Sequence, residues 1–142
     1  MKGAAVQGGA TLLGHTLMNE MKETTGRERP DNSDDLSFPS TMSFGSAVFA
    51  GFASKNIHAM NVPSPAKTGM NVVVHTLPYA VAWERVEAKE HYPSDVLAGI
   101  AFGYFTSFFF NDLFMGIDEK MNGKPEVSYN GKELFIGYCL RF

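Results

Sequence analysis

Four stretches of helical character, separated by loops rich in proline, glycine and turn-forming polar residues, predict an all-α fold with a short C-terminal β-hairpin. Two observations carry this. Apolar residues recur at helical spacing or fill helix-length runs, and the only paired strand-like segments lie in the tail after residue 125. At 142 residues and 15.6 kDa the chain is the size of one domain, taken as spanning 1–142.

From Ala4 to about Glu23, Leu12, Leu13, Leu17, Met18 and Met21 recur at helical spacing, and Gly26 supplies a stop signal. The stretch GRERPDNSDDLSFPS then holds two prolines, several charges and the turn formers Asn32, Ser33, Asp34 and Asp35. It reads as a loop of the length that carries sites. After Pro39, the run SFGSAVFAGFASKNIHAM mixes small residues with aromatics, so a second helix starting near Ser40 can approach its neighbours closely. The polar break NVPSPAKTG precedes a third helix from about Met70 to Val86, which Pro78 is expected to kink or bound.

Charges return in ERVEAKEHYPSD, and Pro93, a favourable first-turn residue, leads into a fourth helix from about Ser94 to Met115. Its run VLAGIAFGYFTSFFF is apolar all round, which predicts a central helix wrapped by the others; the alternative is a segment dipping into a bilayer. The uncharged apolar runs Gly69 to Trp83 and Val96 to Phe110 are shorter than the ~18 to 20 residues of a spanning helix. In the tail, EVSY, Asn130-Gly131 and KELFIGYCLRF form a hairpin signal.

Composition excludes several classes. Hydrophobic residues at 44% and charged residues at 19% fit a folded chain with a core, neither disordered nor polytopic. A net charge of -3 argues against a general nucleic-acid binder, which needs a basic surface. Cys139 is the single cysteine, so no intramolecular disulfide and no thiolate metal site can form. The start, Met1-Lys2 followed by GAAVQGGATLLGH, falls short of a secretion signal.

Three segments concentrate groups that suit a phosphate. In the first, Lys22 at a helix end is followed by Arg29-Pro30, with Arg27 beside them; guanidinium forks bind phosphoryl oxygens in pairs and lysine adds a point charge. In the second, Pro39-Ser40-Thr41-Met42 opens a helix, where free amides favour an anion and Ser40 serves either as a donor or as a simple cap. In the third, Arg85 precedes His91, and Asp95 follows one helical turn later. A carboxylate bonded to one ring nitrogen fixes the tautomer and leaves the other nitrogen as nucleophile; alternatively Asp95 is only a first-turn carboxylate.

Together these segments resemble the type 2 phosphatidic acid phosphatase and vanadium haloperoxidase superfamily. Its signature is Lys, six residues, Arg-Pro; then Pro-Ser-Gly-His; then Ser-Arg, five residues, His, three residues, Asp. Lys22, Arg29, Pro30, Pro39, Ser40, Arg85, His91 and Asp95 fall on the pattern with the right internal spacing, over about residues 13–105. The resemblance implies a helical bundle of that type and a phosphomonoesterase acting through a phosphohistidine on a lipid or small soluble phosphate. His91 would attack phosphorus, Asp95 would orient it, and Lys22, Arg29, Ser40 and Arg85 would hold the oxygens. No metal or other cofactor is implied, with vanadate as an inhibitor or, in a haloperoxidase, a prosthetic group. The acidic run Asp31, Asp34, Asp35 reads as a solvated turn before it reads as a cation loop.

Two positions depart from the pattern. Thr41-Met42 stands where the family has Gly-His, and that histidine is its general acid; a thioether donates no proton. Such a loss costs about 10²- to 10⁴-fold in rate. Glu84 replaces the serine before Arg85 and serves either as a substitute acid or as an ion-pair partner of an arginine. The alternatives to a phosphatase are an inactive anion-binding homologue and a vanadate-dependent haloperoxidase. The partners expected are a phosphate ester, a membrane or lipid surface, and a second copy of the chain, because family domains normally carry helices before the lysine motif; no nucleic acid is expected. Phrases such as HYPSDVLAG, and the terminal Leu140-Arg141-Phe142, resemble exported bacterial proteins and imply periplasm or cell envelope.

Overall fold

The structure, a computed structural model, describes residues 2–114, 126–129 and 134–137. Four helices follow in order: α1 (Lys2–Thr25), α2 (Thr41–Ala59), α3 (Ser64–Glu87) and α4 (Pro93–Phe114). Strands β1 (Glu126–Tyr129) and β2 (Leu134–Gly137) pair antiparallel, with Glu126 opposite Gly137 and Tyr129 opposite Leu134. The expected Asn130-Gly131 turn lies outside the described residues, as does Met115.

Each helix end has a local cause. α1 stops where Gly26 takes a left-handed φ of 54° and its amide bonds the Lys22 carbonyl at 3.0 Å. α2 starts at Ser40, whose side chain accepts the Ser43 amide. α3 begins earlier than its apolar pattern suggests, at Ser64 rather than Met70, because Pro63 and Pro65 preset the backbone of a first turn that needs no buried side chains. Pro78 lies buried inside α3 and does not bound it. α4 opens on Pro93, and the Asp95 carboxylate reaches back 2.9 Å to the Tyr92 amide, as the third-position acid of a capping box does.

The centre of the bundle is α2, which packs against all three other helices, most extensively α4. Phe44, Ala47, Val48 and Ala50 are all but fully buried. This corrects the expectation that α4 is central: Leu97, Phe105, Phe108 and Phe109 on α4 remain exposed. The physical reason is residue size. α4 presents Gly99, Gly103 and Ser107 at four-residue intervals to α2, and a Cβ on Gly99 would lie 2.4 Å from the Ser40 carbonyl oxygen, one on Gly103 2.5 Å from that of Phe44. Small residues at i, i+4 therefore set the approach, and the bulky aromatics point elsewhere.

The segment Pro93–Leu113 is, among the described residues, the one helix long and apolar enough to cross a membrane, by length and composition alone. The uncharged run Val96 to Phe110 alone is too short to span, but the helix continues past Asp95 at one end and Asp112 at the other.

The close approach gives a direct test. Gly103→Ala should cost about 1–3 kcal/mol in urea unfolding, because the backbone it meets cannot yield cheaply. Gly69→Ala, on α3 with open space around its Cβ, should instead stabilise by up to about 1 kcal/mol.

Candidate functional site

The three motif segments meet where the loop after α1, the start of α2 and the turn between α3 and α4 come together. Asp95 is the fastener. Fully buried, its carboxylate accepts Arg27 Nη1 at 2.7 Å, the Ser37 hydroxyl at 2.5 Å and the Tyr92 amide, while its carbonyl accepts the Ser40 amide at 3.0 Å. One residue thus ties the loop, the α2 start and the α4 start. Arg27 also bonds the Ser94 hydroxyl and lies over the Tyr92 ring, 4.3 Å from its centroid.

His91, 4% exposed, sits beside this carboxylate but does not take its main bond from it. Nδ1 lies 3.9 Å from Asp95 Oδ2 and 2.6 Å from the Ser37 carbonyl oxygen. The orienting contact expected from Asp95 therefore passes to Ser37, and Asp95 acts one step removed by holding the Ser37 hydroxyl. A carbonyl only accepts, so Nδ1 carries the proton and, in the neutral ring, Nε2 carries the lone pair. Burial pushes the His91 pKa below its ordinary 6.5, and the nearby positive charges of Lys22 and Arg29 push the same way; the Ser37 bond and Asp95 oppose them. The imidazole is thereby kept neutral near pH 7.

Lys22 donates to the Leu36 carbonyl at 2.6 Å, and its own pKa is lowered by burial first and by Arg29 second. Arg29 bonds Asp34 through Nε at 2.6 Å and approaches Glu90 Oε2 with Nη1 at 3.5 Å. Arg85 binds Glu84 through Nε and Nη2, at 2.5 and 2.7 Å, and Glu90 Oε2 through Nη1 at 2.6 Å. Lys22, Arg29, His91 and Asp95 thus share one neighbourhood, and Arg85 joins it through Glu90.

Ser40 is fully buried as the α2 cap, its hydroxyl oxygen meeting the Ser43 amide and hydroxyl, which is the cap reading of that residue. Thr41 Oγ1, next along, is buried without a partner. Met42 is 57% exposed on the first turn of α2. Glu84 is the ion-pair partner and a poor substitute acid: the Arg85 bonds hold its carboxyl below the usual range. Asp31 and Asp34 act as turn formers, accepting the amides of Ser33 and Leu36. Among the described residues no group of three or more His, Cys, Asp or Glu is placed to hold a metal ion.

Sequence reasoning missed Ser37 and Glu90, and it set Arg27 among the phosphate-suited cations, whereas Arg27 is the partner of Asp95. Ser37 carried a faint signal, as the lone polar residue between Leu36 and Phe38 in a loop otherwise read as a site carrier. A separate groove of about 580 Å³ between α1 and α2, lined by Thr11, His15, Phe49 and Phe52 among others, includes none of the motif residues.

A family model described as the PAP2 superfamily matches residues 4–116. No curated protein and no solved structure matches the chain.

Burial decides what each arginine is worth. Arg27→Ala leaves a fully buried Asp95 without its ion-pair partner and should cost about 3 kcal/mol in urea unfolding. Arg29→Ala, whose partners Asp34 and Glu90 reach solvent, should cost about 1 kcal/mol or less. Because the folded state depresses the His91 pKa, the unfolded chain binds the proton first as pH falls below 6.5. Stability should therefore drop from pH 6.5 downward through the lowered folded value, and His91→Gln should remove that part of the slope in a pH series of unfolding curves.

Proposed function

The chain belongs to the PAP2 superfamily, and from that premise we propose that it is a phosphomonoester hydrolase in which His91 attacks phosphorus. Members of this superfamily are generally phosphatases. The observation that carries the finer reading is a neutral imidazole, its Nδ1 proton held by the Ser37 carbonyl, beside the two cations Lys22 and Arg29.

In this reading Nε2 of His91 forms the bond to phosphorus as the ester P–O bond breaks, giving a phosphohistidine and a departing alkoxide that takes up a proton. Water then attacks the phosphohistidine, releasing phosphate and restoring the ring. Lys22, Arg29 and Arg85 stabilise the charge spread over the equatorial oxygens, which is where most of the acceleration of phosphoryl transfer arises. Thr41, with its unpartnered hydroxyl at the start of α2, has hydrogen-bonding capacity to add. The substrate is a lipid or small soluble phosphate, and envelope association is compatible with the membrane-length α4.

Met42 occupies the position of the family's general acid and supplies no proton, so the departing oxygen must be protonated from solvent. Aryl esters, whose leaving groups need little protonation, suit such a site better than alkyl esters. A second reading, an anion-binding homologue without turnover, is favoured by one observation: Arg29 and Arg85 are already engaged by the carboxylates of Asp34, Glu84 and Glu90.

A phosphate-release assay on matched esters separates them. Aryl phosphates should be cleaved at least about 10²-fold faster than alkyl phosphates, Met42→His should narrow that gap, and His91→Ala should abolish release. Equal rates for the two ester classes would count against the Met42 argument. No release, with no phosphohistidine in acid-quenched protein, would select the binding reading.

A further inference from the structure

We propose that Glu90 is an internal anion that occupies the arginine fork, and that a phosphate must displace its carboxylate in order to bind. The proposal deepens the reading given above and rests on its assignment of Arg29 and Arg85 as phosphate ligands.

Two guanidinium groups from distant stretches of chain converge on a single oxygen. Glu90 Oε2 lies 2.6 Å from Arg85 Nη1 and 3.5 Å from Arg29 Nη1. The other contacts of these arginines are spent nearby: Arg29 gives Nε to Asp34, and Arg85 gives Nε and Nη2 to Glu84. What the two side chains direct at a common point is the pair of Nη1 atoms, and a carboxylate oxygen is at that point. Carboxylate and phosphate oxygens make the same demand on a guanidinium, a charged acceptor in the plane of the fork. Both cannot occupy it at once.

The backbone explains how Glu90 comes to be there. After α3, Lys89 takes a left-handed φ of 59°, and the amides of Glu90 and His91 both turn back to the Arg85 carbonyl, at 3.2 and 3.3 Å. The same tight turn therefore delivers His91 to the buried site and Glu90 to the fork. With its backbone pinned, Glu90 can leave only by rotating its side chain, which is 34% exposed and has solvent to enter. His91 need not move. Displacement thus costs two partly exposed ion pairs, a short one to Arg85 and a long one to Arg29, and the apparent affinity for phosphate equals the intrinsic affinity multiplied by the fraction of molecules with the fork open.

Titration calorimetry on the full chain at neutral pH, with inorganic phosphate and with orthovanadate as probes, tests this in the natural protein, Glu90→Gln and Glu90→Ala. Both variants should bind each anion about 3- to 10-fold more tightly than the natural chain. Unchanged or weaker affinity in the two variants would overturn the proposal while leaving the phosphate pocket intact. Tightening in Glu90→Ala alone would also overturn it, since volume rather than charge would be the cause. If none of the three chains binds either anion, the assignment of the arginines fails, and the proposal with it.

Discussion

A carboxylate taken fully out of water must be matched on every side, and Asp95 organises the site because of that demand. Its side chain draws in Arg27 and the Ser37 hydroxyl from the loop after α1, and the Tyr92 amide from the α4 cap. Its carbonyl fixes the first amide before α2. Three segments far apart in sequence are held in register by the need to satisfy one buried charge. His91 inherits its orientation from this arrangement, through the carbonyl of a serine whose hydroxyl Asp95 already holds.

The helix packing serves the same region. Gly99 lies one turn into α4 from Asp95, and it lets the α2 start come close enough for the Ser40 amide to reach the Asp95 carbonyl. Larger residues there would wedge the two helix starts apart. The stripe of small residues on α4 is thus as much a requirement of the site as of the bundle, and the aromatics left on its other faces are the consequence of giving the close contact to glycine.

Around that frame the charges are closely balanced. Burial first, and then the charges of Lys22 and Arg29, favour the neutral imidazole, whereas Asp34, Glu84 and Glu90 bear on the arginines. Ion pairs of this kind hold the cations in place before any ligand arrives, and preplaced charge is what a phosphoryl transition state rewards. The cost is competition, because the groups that hold the arginines are anions themselves.

Much of this was legible in the residues. Capping serine, first-turn proline and stop glycine located the ends of helices, and the spacing of Lys22, Arg29, Arg85, His91 and Asp95 identified the family pattern, because local backbone rules and motif spacing are written along the chain. Three things were not. That α2 rather than α4 is central depends on which faces carry small residues against each other, a property of two helices together. That the Ser37 carbonyl rather than the Asp95 carboxylate accepts the His91 Nδ1–H depends on a loop folding back over the turn before α4, between residues 54 positions apart. That Glu90 sits in the arginine fork depends on a left-handed turn at Lys89, a conformation the residue type does not announce. The sequence by itself determined which chemical groups are present and, α3 apart, about where helices begin; only the tertiary structure decided which of them touch, because hydrogen bonds and charge pairs act over a few ångströms in space and are indifferent to separation along the chain.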